Sequence, residues 1–109
     1  MKFAIEKNIL LENLNNVVRG ISTKNVIPVL NGIKFELKED GLTLTASDSE
    51  LTIESFIESK LIRNIESTGT IIISSKYILD IIRKMPSDVI NFEMMDSLKI
   101  KIYSDFNQY

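Results

Sequence analysis

Six cationic side chains are the residues of this chain best suited to chemistry: Lys7, Arg19 and Lys24 in one stretch, Lys76, Arg83 and Lys84 in another. Residues 7–24 and 75–85 hold these six against two acidic residues, while the remainder holds seven basic against thirteen acidic. A chain of net charge −2 has therefore gathered its positive charge in two places. Lysine and arginine neutralise phosphates through a salt-dependent, sequence-independent attraction, whereas reading base edges calls for a protruding recognition helix or stacking aromatics. Neither of the latter is evident here. The expected ligand is the backbone of a duplex nucleic acid, held weakly and without sequence preference. Two simply solvated polar faces are the plain alternative. The shortage of acid in both stretches, rather than the presence of lysine, weighs against it.

Bond-making chemistry finds little to work with. The sequence has no cysteine and no histidine, which removes disulfides, thiolate nucleophiles, the usual zinc ligands and the commonest general base near neutral pH. Asp48 or Glu50 could be paired with a lysine, but nothing couples a nucleophile to an oriented base. Ser47-Asp48-Ser49-Glu50 lacks the repeated ligands and the glycine of a calcium loop and reads as a capped turn. Met94 and Met95 suit gap-filling or exposure better than a binding surface. No catalytic residue, metal site or cofactor is expected.

The elements that must position the cations follow from hydrophobic period. The chain has 109 residues, 44% of them hydrophobic, enough for one domain with one core. It opens on Met1-Lys2-Phe3-Ala4-Ile5-Glu6, charged at once and without a long apolar run, so neither a signal peptide nor a membrane span is expected and a cytosolic setting is the default. Phe3 and Ile5 alternate with their neighbours as a short strand. Leu10, Leu14, Val17, Val18 and Ile21 then keep helical spacing, and the helix ends near Gly20. Ser22 to Asn31 is a loop around Pro28. Ile33, Phe35 and Leu37 face one way and Lys34, Glu36 and Lys38 the other, the pattern of a half-buried strand. Glu39-Asp40-Gly41 turns the chain into Leu42, Leu44 and Ala46 alternating with threonines, a strong hairpin signal. A further strand runs from about Leu51 to Ile57.

The same order returns in the second half. Lys60 to Gly69 reads as an unpatterned crossover, and Thr70 to Ile73 as a β-branched strand. Ser74 or Ser75 can cap a helix whose apolar face is Ile78, Leu79, Ile82 and Met85, and Pro86 stops it. Val89 to Met94 and Leu98 to Tyr103 form another strand pair. The expected fold is α+β, a β-α-β-β-β unit written twice over about 1–58 and 70–109. Two helices pack on one face of antiparallel sheet, and the last strand is truncated at Tyr109. Side by side, the helices would turn Asn8, Glu12, Asn15, Asn16, Arg19, Lys76, Asp80, Arg83 and Lys84 outward as one basic, amide-rich surface. A stand-alone module whose basic face binds an acidic protein partner is the competing function.

Several segments together resemble the first domain of the bacterial sliding-clamp family, the beta subunit of DNA polymerase III. They are Met1-Lys2-Phe3, Lys24-Asn25-Val26-Ile27-Pro28-Val29-Leu30, Thr45-Ala46-Ser47-Asp48-Ser49-Glu50, Ile53-Glu54-Ser55-Phe56-Ile57 and Lys76 to Pro86, and the resemblance covers essentially all of 1–109 in order. It implies a DNA-clamp fold and the first of three similar domains. In the family two protomers close head to tail into a ring, with sheets outside and helices lining a hole through which duplex DNA passes. The ring is a non-catalytic processivity factor of the bacterial cytoplasm and nucleoid, placed by a clamp loader and tethering the DNA polymerase III catalytic subunit, with no membrane partner. Its client pocket lies between the second and third domains.

The resemblance puts Lys24 at a basic position before the Pro-containing loop, and Lys76 and Arg83 at basic positions of the second helix. Where many relatives carry arginine, Lys24 keeps the charge and loses the bidentate fork. Arg19 and Lys84 join the DNA-facing set by face and charge alone, and Lys7, which precedes the first helix's polar face, by charge. Tyr77 and Tyr109 fall by family position near the edge where the first domain meets the partner protomer; for Tyr77, core packing or simple exposure are the alternatives.

Overall fold

Strands form where apolar residues alternate and helices where they recur every three to four positions. In the computed structural model, which describes residues 1–20, 32–47, 52–96 and 99–104, the elements are β1 (Lys2–Glu6), α1 (Lys7–Gly20), β2 (Gly32–Lys38), β3 (Gly41–Ser47), β4 (Thr52–Glu58), β5 (Ile62–Ser67), β6 (Gly69–Ser74), α2 (Ser75–Lys84), β7 (Val89–Asp96) and β8 (Lys99–Tyr103). One turn of 3-10 helix, Ser59–Leu61, separates β4 from β5. The alternation read in Ile33, Phe35 and Leu37 is the observed burial of β2. Neither Ser74 nor Ser75 uses its hydroxyl as the expected cap: Ser74 occupies the N-cap position and its side chain makes no capping hydrogen bond. The loop around Pro28 lies outside the described residues.

Among the described residues all strand pairs are antiparallel, in two four-stranded sheets of order β5-β1-β7-β8 and β4-β3-β2-β6. The order β-α-β-β occurs twice, as β1-α1-β2-β3 and β6-α2-β7-β8. Each occurrence places its first strand in the sheet of the other, with β1 beside β7 and β6 beside β2. Both helices pack on the β4-β3-β2-β6 sheet, as the expectation of two helices on one face of antiparallel sheet has it. The helix following each first strand carries the chain across to the other sheet, and the exchange ties the two halves into one core.

The crossover at Lys60–Gly69 also needs correcting, because it contains β5, paired along β1. Its inward residues Ile62 and Ile65 are three apart rather than two, and the ladder shifts register between Lys2 and Phe3 and again between Ala4 and Ile5. A bulge of this kind hides a strand from any search for period two.

The β2–β3 hairpin turns through Glu39 and Asp40, with Lys38 paired to Gly41. Among the described residues no non-glycine has a positive φ; Gly41 does, at 152°. A Cβ there would lie 2.2 Å from the Ile57 carbonyl oxygen and 2.8 Å from Cζ of Phe56, whose half-exposed ring covers the glycine from β4. Gly41→Ala combines a strained backbone with overpacking and is expected to cost about 2–4 kcal/mol. Urea unfolding checks this, and a midpoint within error of the parent would contradict it.

Candidate nucleic-acid interface

α1 buries Leu10, Leu14 and Val17, one apolar stripe at helical spacing, and α2 buries Ile78 and Ile82 with Met85 just beyond its end. Both stripes enter the same core cluster. α1 packs over β3 and β4, α2 over β6, and the helices lie against each other. Their remaining faces are turned outward together: Asn8, Glu12 and Asn16 on α1, and Lys76, Tyr77, Asp80, Arg83 and Lys84 on α2, are all exposed. Because α1 and α2 lie side by side, these outward faces adjoin, and the exposed cations among their described residues, Lys76, Arg83 and Lys84, all stand on α2.

Charge is used differently on this face than elsewhere. Lys2 pairs with Glu66 at 3.6 Å, Lys60 with Glu58 at 3.1 Å and Arg63 with Glu6 at 3.1 Å, all on strands or the turn between them. Such exposed pairs add little to stability, about 0–1 kcal/mol each. Among the described residues Lys76, Arg83 and Lys84 take part in no ion pair. Asp80 lies one turn from both Lys76 and Lys84 without pairing to either, so the three cations stay available to an incoming anion. Arg83 and Lys84 stand in the last turn of α2, where the helix dipole favours positive charge.

The other sequence-chosen residues fall in different surroundings. Arg19 lies on the last turn of α1, and its side chain is outside the described set, as are Lys24 and Tyr109 entirely. Lys7 begins α1, and its Nζ donates to the carbonyl oxygens of Met85 at 2.7 Å and Arg83 at 3.3 Å, so its ammonium faces the end of α2. Tyr77 is 70% exposed, which disposes of core packing. It lines a shallow depression of about 360 Å³ with Lys76, Asp80, Ile81 and Lys84. Ile81 was missed by sequence reasoning. Its signal was available, since Ile81 lies off the Ile78–Ile82–Met85 stripe and follows Tyr77 by four residues, on the same side of the helix.

Asn13 was missed as well. Its amide nitrogen donates to the Ile9 carbonyl at 2.8 Å, and its Oδ1 accepts a hydrogen bond from the Ser55 hydroxyl. This fixes α1 against β4. No sequence pattern marks a contact between residues 42 positions apart. Among the described residues no cluster of acidic side chains could hold a metal ion, and no helix is long and apolar enough to cross a membrane.

Comparison with known proteins gives a consistent picture. The family described as DNA polymerase III beta subunit, N-terminal domain, matches residues 1–108. The beta sliding clamp of Bacillus subtilis (strain 168) is 36% identical over 100 residues, covering 88% of this chain and 26% of that protein. The crystal structure of the beta subunit from DNA polymerase of Streptococcus pyogenes superposes with a TM-score of 0.89 at 32% identity, covering 100% of this chain and 29% of that one. The Bacillus subtilis sliding-clamp structure gives 0.89 at 34% identity, covering 100% and 30%. The chain thus spans somewhat under a third of the length of these relatives.

Proposed function

The chain belongs to the DNA polymerase III beta-subunit family, the beta sliding clamps, and from that membership we propose that residues 1–109 act as the first of three domains in a ring that encircles duplex DNA. In this reading two protomers close head to tail, and the α1–α2 face forms part of the inner wall. Lys24, Lys76 and Arg83, with Arg19 and Lys84, meet the phosphate backbone without reading sequence. The acidic remainder of the chain forms the outside, where it repels DNA. Contacts of this kind hold a duplex weakly in any one place, which lets the ring slide. The ring is a processivity factor for the bacterial replicative polymerase in the cytoplasm, at the nucleoid. It is placed by a clamp loader, holds the polymerase catalytic subunit to its template, and performs no bond chemistry.

The observation that carries this reading is the shared outward face of α1 and α2, with Lys76, Arg83 and Lys84 unpaired among the described residues. Tyr77 and Tyr109 are assigned to the contact with the second protomer. The depression beside Tyr77, lined by Tyr77 and Ile81 together with Lys76, Asp80 and Lys84, offers the mixture of apolar and charged groups that such a contact uses.

The full-length protein, loaded on nicked circular DNA, is expected to stay bound through gel filtration and to run off once the circle is linearised. Equal loss from circle and linear fragment would show that it does not encircle DNA.

A further inference from the structure

Charge alone places Lys7 among the phosphate-binding cations, and the geometry gives it other partners. Its Nζ donates to the carbonyls of Met85 and Arg83 at 2.7 and 3.3 Å, and its backbone N–H donates to the Asp88 carbonyl at 2.8 Å. Both the main chain and the side chain of one residue therefore grip the segment that ends α2 and leads into β7. The last carbonyls of a helix have no partner within it, and a cation there also meets the negative end of the dipole. The Met85 N–H bonds back to the carbonyls of Ile81 and Ile82. Lys7 takes those of Arg83 and Met85.

α2 has ten residues and no side-chain N-cap. A helix of that length is marginal on its own. Its end is held from below by Met85 and Ile82, which are buried, and from the side by Lys7. Arg83 and Lys84 stand on that turn.

We propose that Lys7 is a positioning residue for the nucleic-acid face. Resting on the DNA-encircling reading above, its role is to lock the last turn of α2 so that Arg83 and Lys84 present their charges together, without neutralising a phosphate itself. Two of its three ammonium protons are already directed at the carbonyls of Arg83 in α2 and of Met85 just beyond it.

Lys7→Met keeps the apolar stem and removes the donors, and Lys7→Arg restores donors of similar reach. Amide hydrogen exchange of the chain reads the α2 end, and anisotropy of a fluorescent DNA duplex across a salt series reads affinity and its salt slope. For Lys7→Met the expectation is exchange at Arg83 and Met85 faster by about tenfold or more, duplex affinity several-fold weaker and an unchanged salt slope, all restored in Lys7→Arg; Lys76→Ala instead lowers the slope by about 0.9 with α2 exchange unchanged. A slope reduced by about 0.9 in Lys7→Met would make Lys7 a phosphate contact and overturn the proposal. Unchanged exchange, or faster exchange with unchanged affinity, would overturn it too. A parent chain with no salt-dependent duplex affinity would remove the DNA-facing reading, and with it the role of Lys7 there, while the exchange data would still report the α2 anchor separately.

Discussion

Phe92→Ala is expected to destabilise this chain by about 3–5 kcal/mol, a large fraction of the roughly 5–15 kcal/mol that holds a domain of this size together. Phe92 is fully buried on β7. Its ring stacks on Phe3 of the neighbouring β1, with centroids 4.8 Å apart and planes within 1° of parallel. It also meets Phe35 at 5.8 Å and 34°. Phe35 belongs to β2, in the other sheet. Removing the Phe92 ring therefore opens a cavity where the two sheets meet and strips both remaining aromatics of a partner. Each sheet contains strands from both halves of the chain, so neither half can retain a separate core while the other relaxes. Thermal unfolding should remain one cooperative transition, with its midpoint lower by about 12 °C or more. Loss below about 1 kcal/mol would mean that the sheets close over the gap, and two separate transitions would mean that the halves are independent.

Replacing Lys24, Lys76 and Arg83 together by alanine should produce the largest functional effect. Each phosphate contact contributes about 0.9 to the slope of log affinity against log salt, so losing all three should flatten that slope by up to about 2.7 and weaken duplex binding most at low salt. Stability should hardly change. Lys76 and Arg83 are exposed and, among the described residues, outside every ion pair, and surface substitutions of this kind stay within about 0.5 kcal/mol. The melting temperature should therefore move by no more than a few degrees. Affinity equal to the parent at low salt would take these residues out of the DNA-facing surface. Weaker binding together with a large drop in melting temperature would instead indicate damage to the fold.

Individual elements show how far the residue pattern reached. The β2–β3 hairpin was legible because both strands have one face in the core and one outside, and because Asp40-Gly41 marks the turn between them. The two helices were legible for the same reason at a different period. β5 was not, since its bulged ladder places Ile62 and Ile65 out of alternation. The cap expected from Ser74 or Ser75 also failed as a side-chain contact, and α2 is secured instead from its far end by Lys7. On the outward face of α2, Lys76, Arg83 and Lys84 are exposed, as their place opposite the apolar stripe led one to expect. The charge segregation could not separate Lys7 from them, because charge says nothing about which carbonyl a side chain meets.

The sequence by itself determined the local terms: which stretches are helix or strand, which face of each is apolar, and where net positive charge collects. Those properties depend on residues a few positions apart, and their periods are written along the chain. Only the tertiary structure decided that β1 and β6 exchange sheets, that α1 and α2 lie side by side, and that a lysine at position 7 closes a helix ending at Lys84. Each of these joins segments far apart in the chain. Such contacts are selected by the burial of a whole core at once, so no local window of sequence contains the information that selects them.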